Sequence, residues 1–447
     1  MNEMKRIKDL CQAALPLDPH RLDRARARLY AAMAESQRRA GRPARGGLGL
    51  RAWAKPGCRP AWVVPLGAAG AVTAVIVGAA TVSSAVNHPG QTPAATGAGL
   101  AGGGTAYVAN GASGTVTAIR IATNTALPPV KTGRVPQAIA ITPDGKTAYV
   151  ANLVSDTVTP IRIATNTALP PIKVGRAPEA IAITPNGQTA YVTNSDGDTV
   201  TPIRVATNTA LPPIKVGSKP FDIAITPDGK TAYVVNFRSG TVTPIQTATD
   251  KVLPAIKVSV GCENIAITPD GKTAYVLNPG PGTVFPIRIA TNTALPPVKT
   301  AFGASDIAIT PDSKTAYVVV DSPPGSSGTV FPILTATNTA LPPVKVGRDL
   351  DAIAITPDSK FAYVADWVTG TVTPILTATN TALPPVKVGR NPDAIAITPD
   401  GKTAYIANAP LGPHIPVGAV TPLRIATGTT LPPLKVGRNP SAITITP

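Results

Sequence analysis

Residues 179–216 read EAIAITPNGQTAYVTNSDGDTVTPIRVATNTALPPIKV, and this unit decides the fold. It divides into four short apolar runs, Glu179–Thr184, Thr189–Asn194, Thr199–Val205 and Leu211–Val216. Each is rich in β-branched or apolar side chains and is bounded by Pro, Asn, Asp or Gly, the composition of strands separated by turns. The unit recurs. The tyrosine of its Ala-Tyr-Val/Ile triplet falls at Tyr107, Tyr149, Tyr191, Tyr233, Tyr275, Tyr317, Tyr363 and Tyr405, a spacing of 42 residues except for 46 between Tyr317 and Tyr363.

Four strands in a unit of that length are one blade of a β-propeller, so the sequence predicts an all-β fold of four-stranded blades. Composition agrees: 50 Pro and 39 Gly in 447 residues exclude a helical bundle over most of the chain. Pro160, Pro202 and Pro244 are expected to interrupt the third strand, and the Pro-Pro pairs to open the fourth. Proline belongs at sheet edges, which puts the fourth strand outermost. A lysine recurs there in every unit (Lys131, Lys173, Lys215, Lys257, Lys299, Lys345, Lys387, Lys435). A charge on an exposed edge discourages sheet-to-sheet pairing, a structural role rather than a ligand site. The repeat starts at the second strand of a unit, Thr105, and ends on a lone first strand, Ser441–Pro447. Pairing those two pieces closes a ring of eight blades and removes its open edges.

Tyr191-Val192-Thr193-Asn194 spells the signature of the YVTN-type β-propeller repeat family, which the chain resembles over Thr105 to Pro447. Tyr107–Asn110, Tyr149–Asn152 and the turn Thr142–Lys146 are close variants of the family pattern. The resemblance implies the fold and says little about function. It also implies seven as the commoner blade number, against eight counted here.

The charge of +17 invites a nucleic-acid reading, and its placement argues against one. Residues 1–60 hold 14 Lys+Arg and 5 acids, about half of the excess, in a basic cytoplasmic region with one short helix near Pro19–Ala40 and a linker. The rest equals the eight edge lysines in size. The tyrosines recur inside a strand, without the interleaved basic and stacking side chains that bind single strands. Residues 61–86 carry no ionisable group and are long enough to span a bilayer, with Trp62 at the edge and Arg51, Lys55 and Arg59 before them. The expected topology is therefore a single membrane helix with a cytoplasmic N-terminus, an uncharged tether at 87–104, and an extracytoplasmic propeller at 105–447. A cleaved signal peptide would need a much shorter basic region.

Comparison of the eight units separates constant from variable positions. The Pro-Asp-Gly-Lys turn and the Ala-Thr-Asn-Thr-Ala-Leu-Pro-Pro connection barely change, as turn chemistry requires, and both fall on one side of the disc. The loop between the second and third strands varies on the other side, carries Trp367, and takes both insertions that lengthen the late units. Insertions on one face often mark a binding face. On that face the approach to the first strand carries Arg134, Arg176, Ser218, Val260, Phe302, Arg348, Arg390 and Arg438. Around a closed ring, Arg348, Arg390, Arg438, Arg134 and Arg176 are consecutive, a candidate anion-recognising arc. The opposite arc offers Lys219, Phe221, Asp222, Cys262, Glu263, Asn264, Phe302, Ser305 and Asp306. The competing reading pairs Arg176 with Glu179, Arg348 with Asp351 and Arg390 with Asp393 as local braces of little energetic worth.

No catalytic residue, metal set or cofactor motif stands out. The histidines are His20, His88 and His414, without ligand spacing. Cys262 has no propeller partner for a disulfide. The leading expectation is a membrane-anchored binding or scaffold module whose partner is an envelope protein, a glycan or a small molecule. Its alternatives are a propeller enzyme of lactonase or lyase type with a site at the channel mouth, and a sensor signalling through residues 1–60.

Overall fold

The computed structural model describes residues 104–321, 327–410 and 417–447. The expected helices at 19–40 and 61–86, the tether up to 103, and His414 lie outside the described residues. Among those described, no helix is long and apolar enough to cross a membrane.

The described chain forms eight separate antiparallel sheets, the blades of the expected propeller. Blade 3 is representative: Pro178–Ile183 innermost, then Thr189–Asn194, Thr199–Arg204, and a split outer strand of Thr209–Ala210 and Ile214–Lys215. Blades 2 and 4–8 repeat this order, and innermost strands of successive blades stand side by side around the ring. Blade 1 is the composite. Its innermost strand is Pro440–Ile445, antiparallel to Thr105–Asn110 with Val108 opposite Ile443. At the seam, Thr446 N donates to Thr105 O at 3.0 Å and Thr105 N to Thr446 Oγ1 at 2.8 Å. Eight blades therefore close, one more than the commoner number in the family that the repeat resembles.

The structure corrects the two proline expectations. The third strand is continuous through its proline, as in Thr157–Arg162, Thr199–Arg204 and Thr241–Gln246. The outer strand is what breaks, and the Pro-Pro pair lies inside the break instead of opening the strand. Blade 1 breaks in the same place with Ala118 where blade 3 has Pro202, so the break follows the Pro-Pro pair of the outer strand, which has no N–H to offer the third strand. Leu211 N reaches back to Pro202 O at 2.8 Å, so the proline carbonyl is still used. The eight edge lysines are exposed on this strand as expected.

Cores form between blades. One cluster joins Tyr149, Ala151 and Val158 of blade 2 to Ile181, Val192 and Ile203 of blade 3, and equivalents recur around the ring. The signature residues carry this arrangement. Tyr149 is buried to its hydroxyl, which donates to Asn208 Oδ1 of blade 3 at 2.6 Å. Asn208 sits at φ 53, a left-handed conformation that asparagine tolerates. The same bond runs from Tyr191 to Asp250, Tyr233 to Asn292, Tyr275 to Asn338 and Tyr317 to Asn380. Tyr405 extends it across the seam to Asn124 at 2.6 Å. In the YVTN unit itself, Ala180 N donates to Thr193 Oγ1 at 2.9 Å, and Asn194 Nδ2 donates to Thr201 Oγ1 at 2.9 Å. The Nδ2 groups of Asn110, Asn152, Asn236 and Asn408 likewise donate to a third-strand Thr and so tie down the hairpin leading to the variable loop, whereas Asn278 Nδ2 donates to Val260 O.

The alternating strand directions define two faces. The Pro-Asp-Gly-Lys turns and the turns after the third strand form a constant turn face. The second-to-third loops and the connections between blades form a variable loop face.

Candidate functional site

The loop face is built on a repeated Gly-Arg-x-Pro connection. Gly175 lies against Asn194 of the blade it leads into, where an added Cβ would come within 2.6 Å of Asn194 Cγ. Only glycine fits there. The following backbone is held by the neighbouring loop: Arg134 N donates to Ser155 Oγ at 2.7 Å, Arg438 N to Ser113 Oγ at 2.7 Å, and Arg348 N to Asp366 Oδ2 at 2.9 Å. Blade 4 repeats this bond from Ser218 N to Ser239 Oγ, and a second kind ties the connection to the blade behind it, from Ala177 N to Asp156 Oδ1 of blade 2 and from Lys219 N to Asp198 Oδ1 of blade 3. The next residue turns left-handed at Val135, Ala177, Lys219, Asn391 and Asn439, with φ between 52 and 55.

This geometry anchors each connection by its backbone and turns the arginine side chain outward. Arg134, Arg176, Arg348, Arg390 and Arg438 are all exposed. They lead into blades 2, 3, 7, 8 and 1, which are consecutive around the ring. Glu179 accepts from Ser195 Oγ at 3.2 Å through Oε1.

Blades 4–6 make the other half of the rim. Val260 and Phe302, which replace the arginine in blades 5 and 6, are 54% and 40% exposed, an apolar shoulder beside a cationic arc. In blade 4, Phe221 is half-buried, with its ring centroid 6.1 Å from that of Phe237. Lys219 Nζ stands 5.6 Å from the Phe237 centroid, within cation–π range. Phe237 belongs to the variable loops of the sequence and is not among the expected site residues. Its signal is its place at the start of a variable loop, where Trp367 stands in blade 7. Trp367 is half-buried and tied through its backbone, its N–H to Asp349 O at 2.8 Å and its carbonyl to Asn391 Nδ2.

The acidic candidates lie deeper, on the innermost strands. Asp222 accepts from Ile223 N at 2.8 Å through Oδ1 and from Ile265 N of blade 5 at 3.0 Å through Oδ2. Asp306 does the same with Ile307 N and with Ile353 N of blade 7. Both are buried, so these carboxylates stitch adjacent blades together at the channel wall. Asn264 occupies the equivalent position in blade 5, also buried, and its Oδ1 has no hydrogen-bond partner. Glu263 is buried beside it. Cys262 is buried as well, and burial pushes its thiol up to about 12. Among the described residues no three His, Cys, Asp or Glu side chains could hold a metal ion together.

A family described as "Lactonase, 7-bladed beta-propeller" matches residues 101–218, about a quarter of the chain. No curated protein matches the chain. Among solved structures, a Kuenenia stuttgartiensis hydrazine synthase is similar over 65% of this chain and 96% of its own, at 24% identity and a TM-score of 0.54. The dihydro-heme d1 dehydrogenase NirN aligns over 79% of this chain and 77% of its own, at 12% identity and a TM-score of 0.66. A putative 6-phosphogluconolactonase from Bacteroides fragilis aligns over 79% of this chain and all of its own, at 17% identity and a TM-score of 0.52. At these identities the likeness is one of fold.

Proposed function

We propose that this chain is a YVTN-type propeller held at the membrane by residues 61–86. In this reading its extracytoplasmic loop face binds an anionic envelope component. The observation that carries the reading is the arc Arg348, Arg390, Arg438, Arg134 and Arg176: five exposed guanidinium groups on consecutive blades, each on a connection pinned by its neighbour. Guanidinium forks suit phosphate, sulfate and carboxylate groups. The shoulder of Val260, Phe302 and Phe221 supplies apolar contact opposite, so a bound ligand meets two different walls. Full-length protein and a variant with all five arginines changed to Ala, each used to capture envelope components, test this. Equal capture by both rejects the arc as the binding surface.

The match across residues 101–218 favours a second reading, a lactonase-type enzyme with its site at the channel mouth. Glu263 is its best acid or base, being a buried carboxylate on the channel side of blade 5. Hydrolysis of a sugar lactone by the wild type that collapses in Glu263→Gln would support it. Hydrolysis no faster than in buffer removes it.

A further inference from the structure

We propose that the turn face seats the propeller on an anionic lipid surface through Arg424, Arg120, Arg162 and Arg204. These residues end the third strand of blades 8, 1, 2 and 3, and all four are exposed. The same position holds Gln246, Arg288, Leu334 and Leu376 in the other blades, so the cations concentrate in one sector. None of the four is in an ion pair among the described residues. The acids beside them are already neutralised: Asp144 pairs with Lys146 at 3.3 Å and Asp400 with Lys402 at 3.4 Å, while blade 3 carries Asn186 in place of the acid. The sector is therefore one of uncompensated positive charge.

The chain joins the propeller in the middle of this sector. Thr105 is the direct partner of Arg120, and Ile121 N donates to Gly104 O at 3.0 Å. The apolar stretch 61–86 ends eighteen residues earlier. Eighteen residues reach at most about 60 Å even when fully extended, which bounds how far the sector can stand from the bilayer. The inference rests on the membrane-anchored reading. Anionic headgroups attract cations within about a Debye length. Docking there turns the loop face away from the bilayer and leaves the upper arginine arc open to ligand.

The test uses full-length protein reconstituted into phosphatidylcholine vesicles, with or without phosphatidylglycerol, read by flotation and by hydrogen exchange. Docking predicts slower exchange in the turns 121–124, 163–166, 205–208 and 425–428 when phosphatidylglycerol is present. The slowing is at least about five-fold, the factor that one arginine supplies at an anionic leaflet. It should vanish in high salt and in a variant with Arg120, Arg162, Arg204 and Arg424 changed to Gln, and persist in Arg288→Gln, the same position outside the sector. Unchanged exchange of the innermost strands shows that the variants are folded. Flotation with equal exchange in both vesicle types overturns the docking and spares the anchor. Failure to float with phosphatidylcholine alone overturns both.

Discussion

Removing the tyrosine hydroxyls one at a time measures whether the ring is closed. Six signature tyrosines donate to the Asn or Asp in the turn of the next blade, and the bond from Tyr405 to Asn124 exists only if blade 8 meets blade 1. Tyr363 is the internal control. Blade 8 has Gly428 where the others have Asn or Asp, and the Tyr363 hydroxyl has no hydrogen-bond partner among the described residues. A neutral hydrogen bond contributes about 1 kcal/mol. A bond to a carboxylate contributes about 1.5 kcal/mol or more, which applies to Tyr191 and Asp250 at 2.7 Å. At about 2.1 cal/mol/K of unfolding entropy per residue, a propeller of this size loses about 1.4 °C in Tm per kcal/mol. Tyr405→Phe and Tyr149→Phe should thus each lower Tm by about 1.4 °C, Tyr191→Phe by about 2 °C or more, and Tyr363→Phe by nothing measurable. Calorimetric scans of the five proteins side by side resolve that order. A Tyr405 variant that melts like the Tyr363 variant would refute closure. A Tyr363 variant as costly as the rest would refute the hydrogen-bond account.

Three further expectations concern single positions. Val135 is β-branched and held at φ 53 where blades 8 and 1 use Asn391 and Asn439, so Val135→Asn should raise stability by about 1 kcal/mol in a denaturant titration. Burial opposes ionisation of Asp144, but its bonds from Thr142 and Lys146 more than offset it and hold its pKa below the ordinary value of 3.8; Asp228, Asp270, Asp312, Asp358 and Asp400 behave alike. Their stabilisation is present above that value and is lost as pH falls through the lowered folded pKa values. Tm should accordingly drop below about pH 4, and more shallowly in a six-fold Asp→Asn variant; parallel curves would contradict the turn account. Cys262, with its thiol pushed up to about 12, should resist alkylation in the folded protein at neutral pH and react only on unfolding, as mass spectrometry would show.

Much of the architecture could be read from the period alone. A unit of 42 residues with four apolar runs and an orphan first strand at the end dictates both blade and closure. The prolines misled because the third strand pairs with the second without using their missing N–H, and the outer strand breaks at its own Pro-Pro pair, in blade 1 as well, where Ala118 replaces the third-strand proline. The third strand, held on its inner side by six paired residues, stays whole. The arginine arc was also legible, since ring order follows unit order. The roles of Asp222 and Asp306 were not, because their partners lie one blade ahead, 43 and 47 residues on, where no local pattern links a carboxylate to a main-chain N–H. For the same reason the tyrosines looked like packing, and their hydroxyl bonds to the next blade went unseen. The sequence placed Glu179 three residues from Arg176, and only the fold shows its bond from Ser195.

The seam has a consequence for biosynthesis. Thr105–Asn110 must wait for Pro440–Ile445, so the first strand of the described propeller is completed by its last. At ribosomal speeds of 5–20 residues per second, that interval is roughly 20–70 s. Throughout it, the inner edge of Thr105–Asn110 is an unsatisfied row of main-chain donors and acceptors, open to any passing strand. A nascent chain therefore passes through an aggregation-prone stage with seven of its eight blades already made, and a truncation before Pro440 would make that stage permanent.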